Sequence, residues 1–105
     1  MRAVVDEYVE ILDRALGIAI QVKFERTGRG IDGYAVVLVA EIQSTVEAIR
    51  VFDSAHGVNE MHRYTRSGGK QTGTTFHSGT FGEGMRAATS QIESGYRQMI
   101  EGWDR

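Results

Sequence analysis

The sequence predicts an α+β domain: an antiparallel sheet of four to five strands, with an N-terminal and a C-terminal helix packed on it. Three observations carry this expectation. Apolar residues recur at three- and four-residue steps near both ends of the chain. Between those ends they alternate or form β-branched runs. Thirteen glycines and no proline leave the turns to glycine. The 105 residues form one domain of ordinary length, without an internal repeat or linker.

Taken in order, Val4, Val5, Tyr8, Val9, Leu12 and Leu16 predict an amphipathic helix with acidic residues outside, stopped by Gly17. In "IAIQVKFER", Ile18, Ile20, Val22 and Phe24 alternate with Gln21, Lys23 and Glu25, the pattern of a half-buried strand. "TGRGIDG" is a glycine-rich connection. "YAVVLVAEI" is apolar on both faces, as a central strand is. After a tight turn at Ser44-Thr45, "VEAIRVFD" predicts the next antiparallel strand. "NEMHRYTR" predicts a fourth, more polar strand, "SGGKQTGT" a flexible loop and "TFHSG" a short fifth strand. Thr80 and Glu83 form a capping box that opens a helix at Phe81. Phe81, Met85, Ala88, Ile92, Tyr96, Met99 and Trp103 then make one apolar stripe, which is core.

Composition narrows the function classes. A 41% hydrophobic and 25% charged chain is typical of a globular protein. Without cysteine it has no disulfide, thiolate metal site or thiol nucleophile. No apolar run approaches the roughly 20 residues of a membrane span. The acidic N-terminus, with Asp6, Glu7, Glu10 and Asp13, is unlike a signal peptide, so the expectation is a cytoplasmic protein with no membrane partner. A net charge of −2 argues against a dedicated nucleic-acid binder. The charge is unevenly spread, however. Residues 1–49 hold five cations and eight anions, whereas residues 50–86 hold Arg50, Arg63, Arg66, Lys70 and Arg86 against Asp53, Glu60 and Glu83. That second stretch is a local positive patch suited to an anionic ligand.

All three histidines, His56, His62 and His77, lie in the same stretch, which marks it as the candidate site. Strand periodicity puts Glu60, His62 and Tyr64 on one face and Met61, Arg63 and Thr65 on the other. Met61 is the strong hydrophobe, so its face is expected toward the core and the Glu60, His62, Tyr64 row on an open surface. Asp53 and His56 sit where the preceding strand ends; Asp53 either closes an Asx-turn or orients an imidazole. His77 precedes a helix start containing Gly79, Thr80 and Gly82, whose amides and dipole favour an anion, with Arg86 one turn on. Arg63 and Lys70 complete the candidate anion contacts. Neither a dinucleotide fingerprint nor a Walker pattern is present, so no cofactor is expected.

The histidines lack HxH or HExxH spacing, so the site is expected to work without a metal. Neutral-range acids and bases beside cations suit metal-independent cleavage of RNA. One group deprotonates the 2′-hydroxyl and another protonates the leaving oxygen. Asp53, His56, Glu60, His62, Tyr64 and His77 are the candidate catalytic residues.

The stretch "FDSAHGVNEMHRY" also resembles the small TumE-type toxins of prokaryotic toxin–antitoxin modules. There a strand runs into a D-x-A-H-G-like turn followed by a histidine-bearing strand; the matching positions are Asp53, Ala55, His56, Gly57 and His62, within residues 49–64. The resemblance implies a toxin role and a cognate antitoxin as partner. The expectation is thus a toxin-like endoribonuclease acting on RNA or another phosphate-bearing ligand, with a homodimer open as a further assembly. Two alternatives stand beside it: a non-catalytic module that binds an anionic ligand or partner protein through the same pocket, and a His/carboxylate metal-dependent hydrolase.

Overall fold

The computed structural model describes residues 2–104. It contains β1 (Ala3–Asp13), β2 (Ile18–Thr27), β3 (Gly30–Ile42), β4 (Thr45–Asp53), β5 (Asn59–Thr65), β6 (Gly69–Lys70), β7 (Thr74–His77) and α1 (Phe81–Asp104). The strands form one antiparallel sheet in the order β1-β2-β3-β4-β5-β6, with β7 also paired to β5.

This corrects the expected architecture in two respects. There is no N-terminal helix among the described residues, and the sheet has seven strands rather than four to five. The spacing of Val4, Val5, Tyr8, Val9 and Leu12 fits a helix stripe, but Val and Ile also favour strands. Long-range pairing with β2 decides between them. Glu7 lies directly opposite Lys23 and its carboxylate is 3.5 Å from that ammonium. Arg26 donates its Nε–H to Asp6 Oδ2 at 2.8 Å. Acids expected on the outer side of a helix are thus partners of β2 cations. Gly17, expected as a helix stop, sits instead in the hairpin turn with φ +65°. A Cβ there would lie 2.7 Å from Glu41 Cβ, so the turn needs glycine for both conformation and room. The other additional strand, β6, falls inside the stretch expected as a loop and pairs with Tyr64 and Thr65.

Cross-strand partners share a face of the sheet, so the register defines rows. Tyr8, Val22, Val36, Phe52, Met61 and Thr74 form one row across six strands. α1 packs on this side, where Ile20, Val22, Val36, Leu38 and Phe52 meet Ala88, Ile92 and Trp103 in the core. The expected helix stripe is the packed one: Phe81, Met85, Tyr96 and Met99 also lie against the core cluster. Met61 faces that core, as its side chain predicts. Among the described residues, the opposite face carries no helix. Across it runs the row Glu7, Lys23, Ala35, Asp53, Glu60 and Thr75, with Val9, Gln21, Val37, Val51 and His62 beside it.

One polar side chain locks helix to sheet. Asn59 is buried on the core side at the start of β5. Its Oδ1 accepts the Tyr34 hydroxyl at 2.7 Å, and its Nδ2 donates to the carbonyls of Gly79 at 2.9 Å and Thr80 at 3.3 Å. Burial, with the nearby Asp53 charge, pushes the Tyr34 phenol up to about 12, so it stays a donor at neutral pH. The helix start can sit this close because residue 84 is glycine; a Cβ there would overlap the Asn59 carboxamide. Thr80 and Glu83 form the expected capping box. Glu83 Oε1 accepts the Thr80 N–H at 2.9 Å, and Thr80 Oγ1 accepts the Glu83 N–H at 3.2 Å.

Gly84→Ala is therefore expected to destabilise the fold by about 1–3 kcal/mol, the range for forcing atoms into a packed contact. In a free helix the same change would stabilise. A urea midpoint equal to or above that of the parent would contradict the clamp.

Candidate functional site

The site begins with a turn. β4 ends at Asp53, whose Oδ1 accepts the Ala55 N–H at 3.2 Å, and Gly57 takes φ +81°. This is an Asx-turn, and among the two roles open to Asp53 it is the one its carboxylate takes up. The turn returns the chain so that His56, four residues before Glu60, stands over the uncovered face at the start of β5.

There, three candidate residues converge on a single oxygen. His56 Nδ1 lies 2.8 Å and His62 Nε2 2.7 Å from Glu60 Oε1. The His56 ring is largely exposed, with 68% of its side chain accessible. His62 is not on an open surface: it is only 6% accessible. The cause is the segment after β6, which folds over it. Gln71 O lies 3.0 Å from His62 Nδ1. Gly73 follows so closely that a Cβ would come within 2.5 Å of His62 Cε1 and 2.6 Å of Glu60 Cδ. A stretch expected to be a free loop thus roofs the site, and Gly73 allows it.

The chemistry of the acceptors limits where the protons lie. A carboxylate only accepts, so His56 carries its hydrogen on Nδ1 and leaves the Nε2 lone pair free. Both ring nitrogens of His62 also face groups that only accept, Gln71 O at Nδ1 and Glu60 Oε1 at Nε2. A neutral ring donates to one of the two, and both contacts are hydrogen bonds when the ring carries two protons. The hydrogen bond from His56 holds the Glu60 carboxyl below the usual carboxylate range, with help from that of His62 and against the opposing effect of burial. Asp53 lies opposite Glu60 in the register, adding a second carboxylate to this corner.

The remaining candidates lie elsewhere. Tyr64 packs against the core cluster and lines a groove with Thr65, Arg66, Gly69 and Trp103, four residues along β5 from Glu60. Lys70 pairs with Tyr64 at that far end and is exposed. Arg63 lies on the core side, its guanidinium near Gly102 at the end of α1. His77 pairs with Asn59 and turns toward the helix start, where a Cβ on Gly79 would lie 2.8 Å from its Nε2. The Glu83 carboxylate itself occupies the helix start, held below the usual range chiefly by the Thr80 N–H and then by the Thr80 hydroxyl. Gly82 lies beside Arg86, which lines a separate groove with Tyr8, Met85 and Glu93. The fold keeps Arg63 and Lys70 away from His56 and His62, whereas His77 and Arg86 both lie close enough to Glu83 to help hold its carboxyl down.

Comparison of the chain with protein-family profiles, curated proteins and solved structures returns no match. No described helix is long and apolar enough to cross a membrane.

The two histidines should separate in stability. His56→Ala should change it by less than about 0.5 kcal/mol, as an exposed substitution. His62→Ala should cost about 1–3 kcal/mol, because Gln71 O and Glu60 lose a buried partner. Equal denaturation midpoints for the two variants would contradict the roofed position of His62.

Proposed function

We propose that this protein is a toxin-like, metal-independent endoribonuclease whose general base is His56. One observation carries the reading. An exposed imidazole is held through its Nδ1–H by a carboxylate, which leaves Nε2 open to solvent as a proton acceptor. Glu60 orients that ring, and His62 lies against Glu60 from beneath, with Gln71 O at its other nitrogen. Such an arrangement suits removal of a proton from a hydroxyl presented at the uncovered face.

With RNA, His56 Nε2 takes the 2′-hydroxyl proton and the 2′-oxygen attacks phosphorus. A bond to the 2′-oxygen forms as the bond to the 5′-oxygen breaks, leaving a 2′,3′-cyclic phosphate. Water protonates the departing oxygen, and the proton later released by His56 neutralises the hydroxide. DNA, without the 2′-hydroxyl, is not a substrate. The resemblance to TumE-type toxins supports the toxin role, because Asp53, His56 and His62 belong both to it and to this corner of the fold. A cognate antitoxin would then be expected to cover the uncovered face around His56.

The test is incubation of the protein with single-stranded RNA in the presence of a chelator. Cleavage should persist and leave cyclic phosphate ends. His56→Ala should fold normally and lose about 10²–10⁴ in rate, the usual worth of a general base. Intact RNA with the parent protein, or an undiminished rate in His56→Ala, would sink the proposal.

A further inference from the structure

His62 presents an electronic problem that points to a second ligand of the same corner. Its Nδ1 lies 3.0 Å from the Gln71 carbonyl and its Nε2 2.7 Å from Glu60 Oε1, so a neutral ring that donates to the carbonyl aims its Nε2 lone pair at the carboxylate. Two electron pairs at that distance repel unless a positive species lies between them. A proton is one solution, and a metal ion is the other. Metal-bound histidines usually donate their second ring N–H to a carbonyl or carboxylate, which fixes the tautomer and aims the free nitrogen at the ion. Gln71 O supplies that contact.

A third ligand is already in place. Nitrogen atoms of His56 and His62 and a carboxylate oxygen of Glu60 all lie within 4.8 Å of one another, and this is the one such group of three among the described residues. Zinc takes imidazole and carboxylate ligands at about 2.0–2.2 Å in tetrahedral sites, and three protein ligands leave one position for water. Small rotations of the exposed His56 ring and of Glu60 open the present hydrogen-bond distances to that geometry. The donor set of two imidazoles and one carboxylate suits zinc-class ions better than magnesium or calcium, which prefer oxygen. The site is also built to last: His62 and Glu60 are mostly covered, and the Gly73 backbone packs against both.

We infer that His56, Glu60 and His62 form a binding site for a zinc-class divalent ion. Resting on the function proposed above, a further consequence concerns catalysis. His56 reaches the ion through Nδ1, so its hydrogen moves to Nε2 and the ring becomes a donor at the position where the base must accept. The ion and the acid–base reaction therefore exclude each other, and zinc acts as an inhibitor of this site.

The experiment uses the full chain after chelator treatment and dialysis, without RNA. Zinc chloride titrated in a calorimeter should bind at one ion per chain, and cobalt chloride should give the intense visible bands of a four-coordinate ion. His56→Ala and Glu60→Gln should each weaken zinc binding by about 10-fold or more, a loss at least as large as that from altered outer contacts. On zinc addition histidine ring spectra should show His62 as the Nδ1–H tautomer with its Nε2 shifted. No binding by the parent, undiminished binding in the His56→Ala, Glu60→Gln double variant, or shifts confined to His77 would overturn the inference. A second arm adds RNA. Zinc should suppress cleavage and chelator restore it. Cleavage that requires zinc would support the ion site and overturn the metal-free reaction. With no cleavage under any condition the proposed reaction fails, and the titration alone decides the ion site.

Discussion

Asn59 is the buried side chain on which the placement of the site depends. An unpaired carboxamide in the core would cost roughly 1–3 kcal/mol for each group left without a partner. Its oxygen and nitrogen are instead satisfied by two distant parts of the chain: β3 through Tyr34, and the Gly79 and Thr80 carbonyls that precede α1. Tyr34 serves here only because it remains protonated. The contact sets the distance between helix and sheet, and Gly84 leaves room for it. On the next residue of the strand, with the opposite orientation, stands Glu60. Whatever fixes Asn59 inward therefore fixes Glu60 outward.

That alternation divides β5 into a structural and a chemical side. Asn59 and Met61 belong to the core, while Glu60 and His62 belong to the uncovered face. A shift of one residue in the β4–β5 register would exchange the two sets. The Asx-turn at Asp53 holds that register from one side, and the β5–β7 pairing holds it from the other. Such anchoring explains how a site made of three side chains and one carbonyl can stand on a sheet face that no helix covers. Each group is held by backbone geometry, with Gly57 and Gly73 at the points where an L side chain would be strained or would collide.

Much of this was legible in the sequence, and the rest was hidden for definite reasons. The alternation in Ile18–Phe24, the apolar run of β3 and the stripe from Phe81 to Trp103 each report burial directly, so those elements could be read locally. The capping box of Thr80 and Glu83 was legible because both partners lie within one turn. Val4 to Leu12 was not, since its apolar spacing satisfies two periods and only β2, a separate segment, decides between them. His56, Glu60 and His62 could be assigned to one region by their proximity in sequence. Their convergence on one oxygen could not, because it depends on a turn conformation. The cover over His62 left no sequence trace beyond a glycine in a polar stretch, and the acceptor that its Nδ1 meets is a backbone carbonyl. Asn59 and Gly84 likewise meet across 25 residues of chain with no local pattern to connect them.

The replacement of a terminal helix by β1 has a consequence for how the molecule lives among copies of itself. An edge strand of 11 residues offers a row of unpaired amides and carbonyls, and β1 also exposes Val5, Val9 and Ile11. Such an edge invites sheet-to-sheet growth. Its acids oppose that growth. Were two β1 strands to meet antiparallel and centred on Tyr8, Asp6 of each copy would face Glu10 of the other. Like charges directly opposite one another on neighbouring strands are unfavourable. The residues that make this segment look like the outside of a helix thus make each molecule a poor template for the next, and at high concentration they keep a sticky border from becoming a seam.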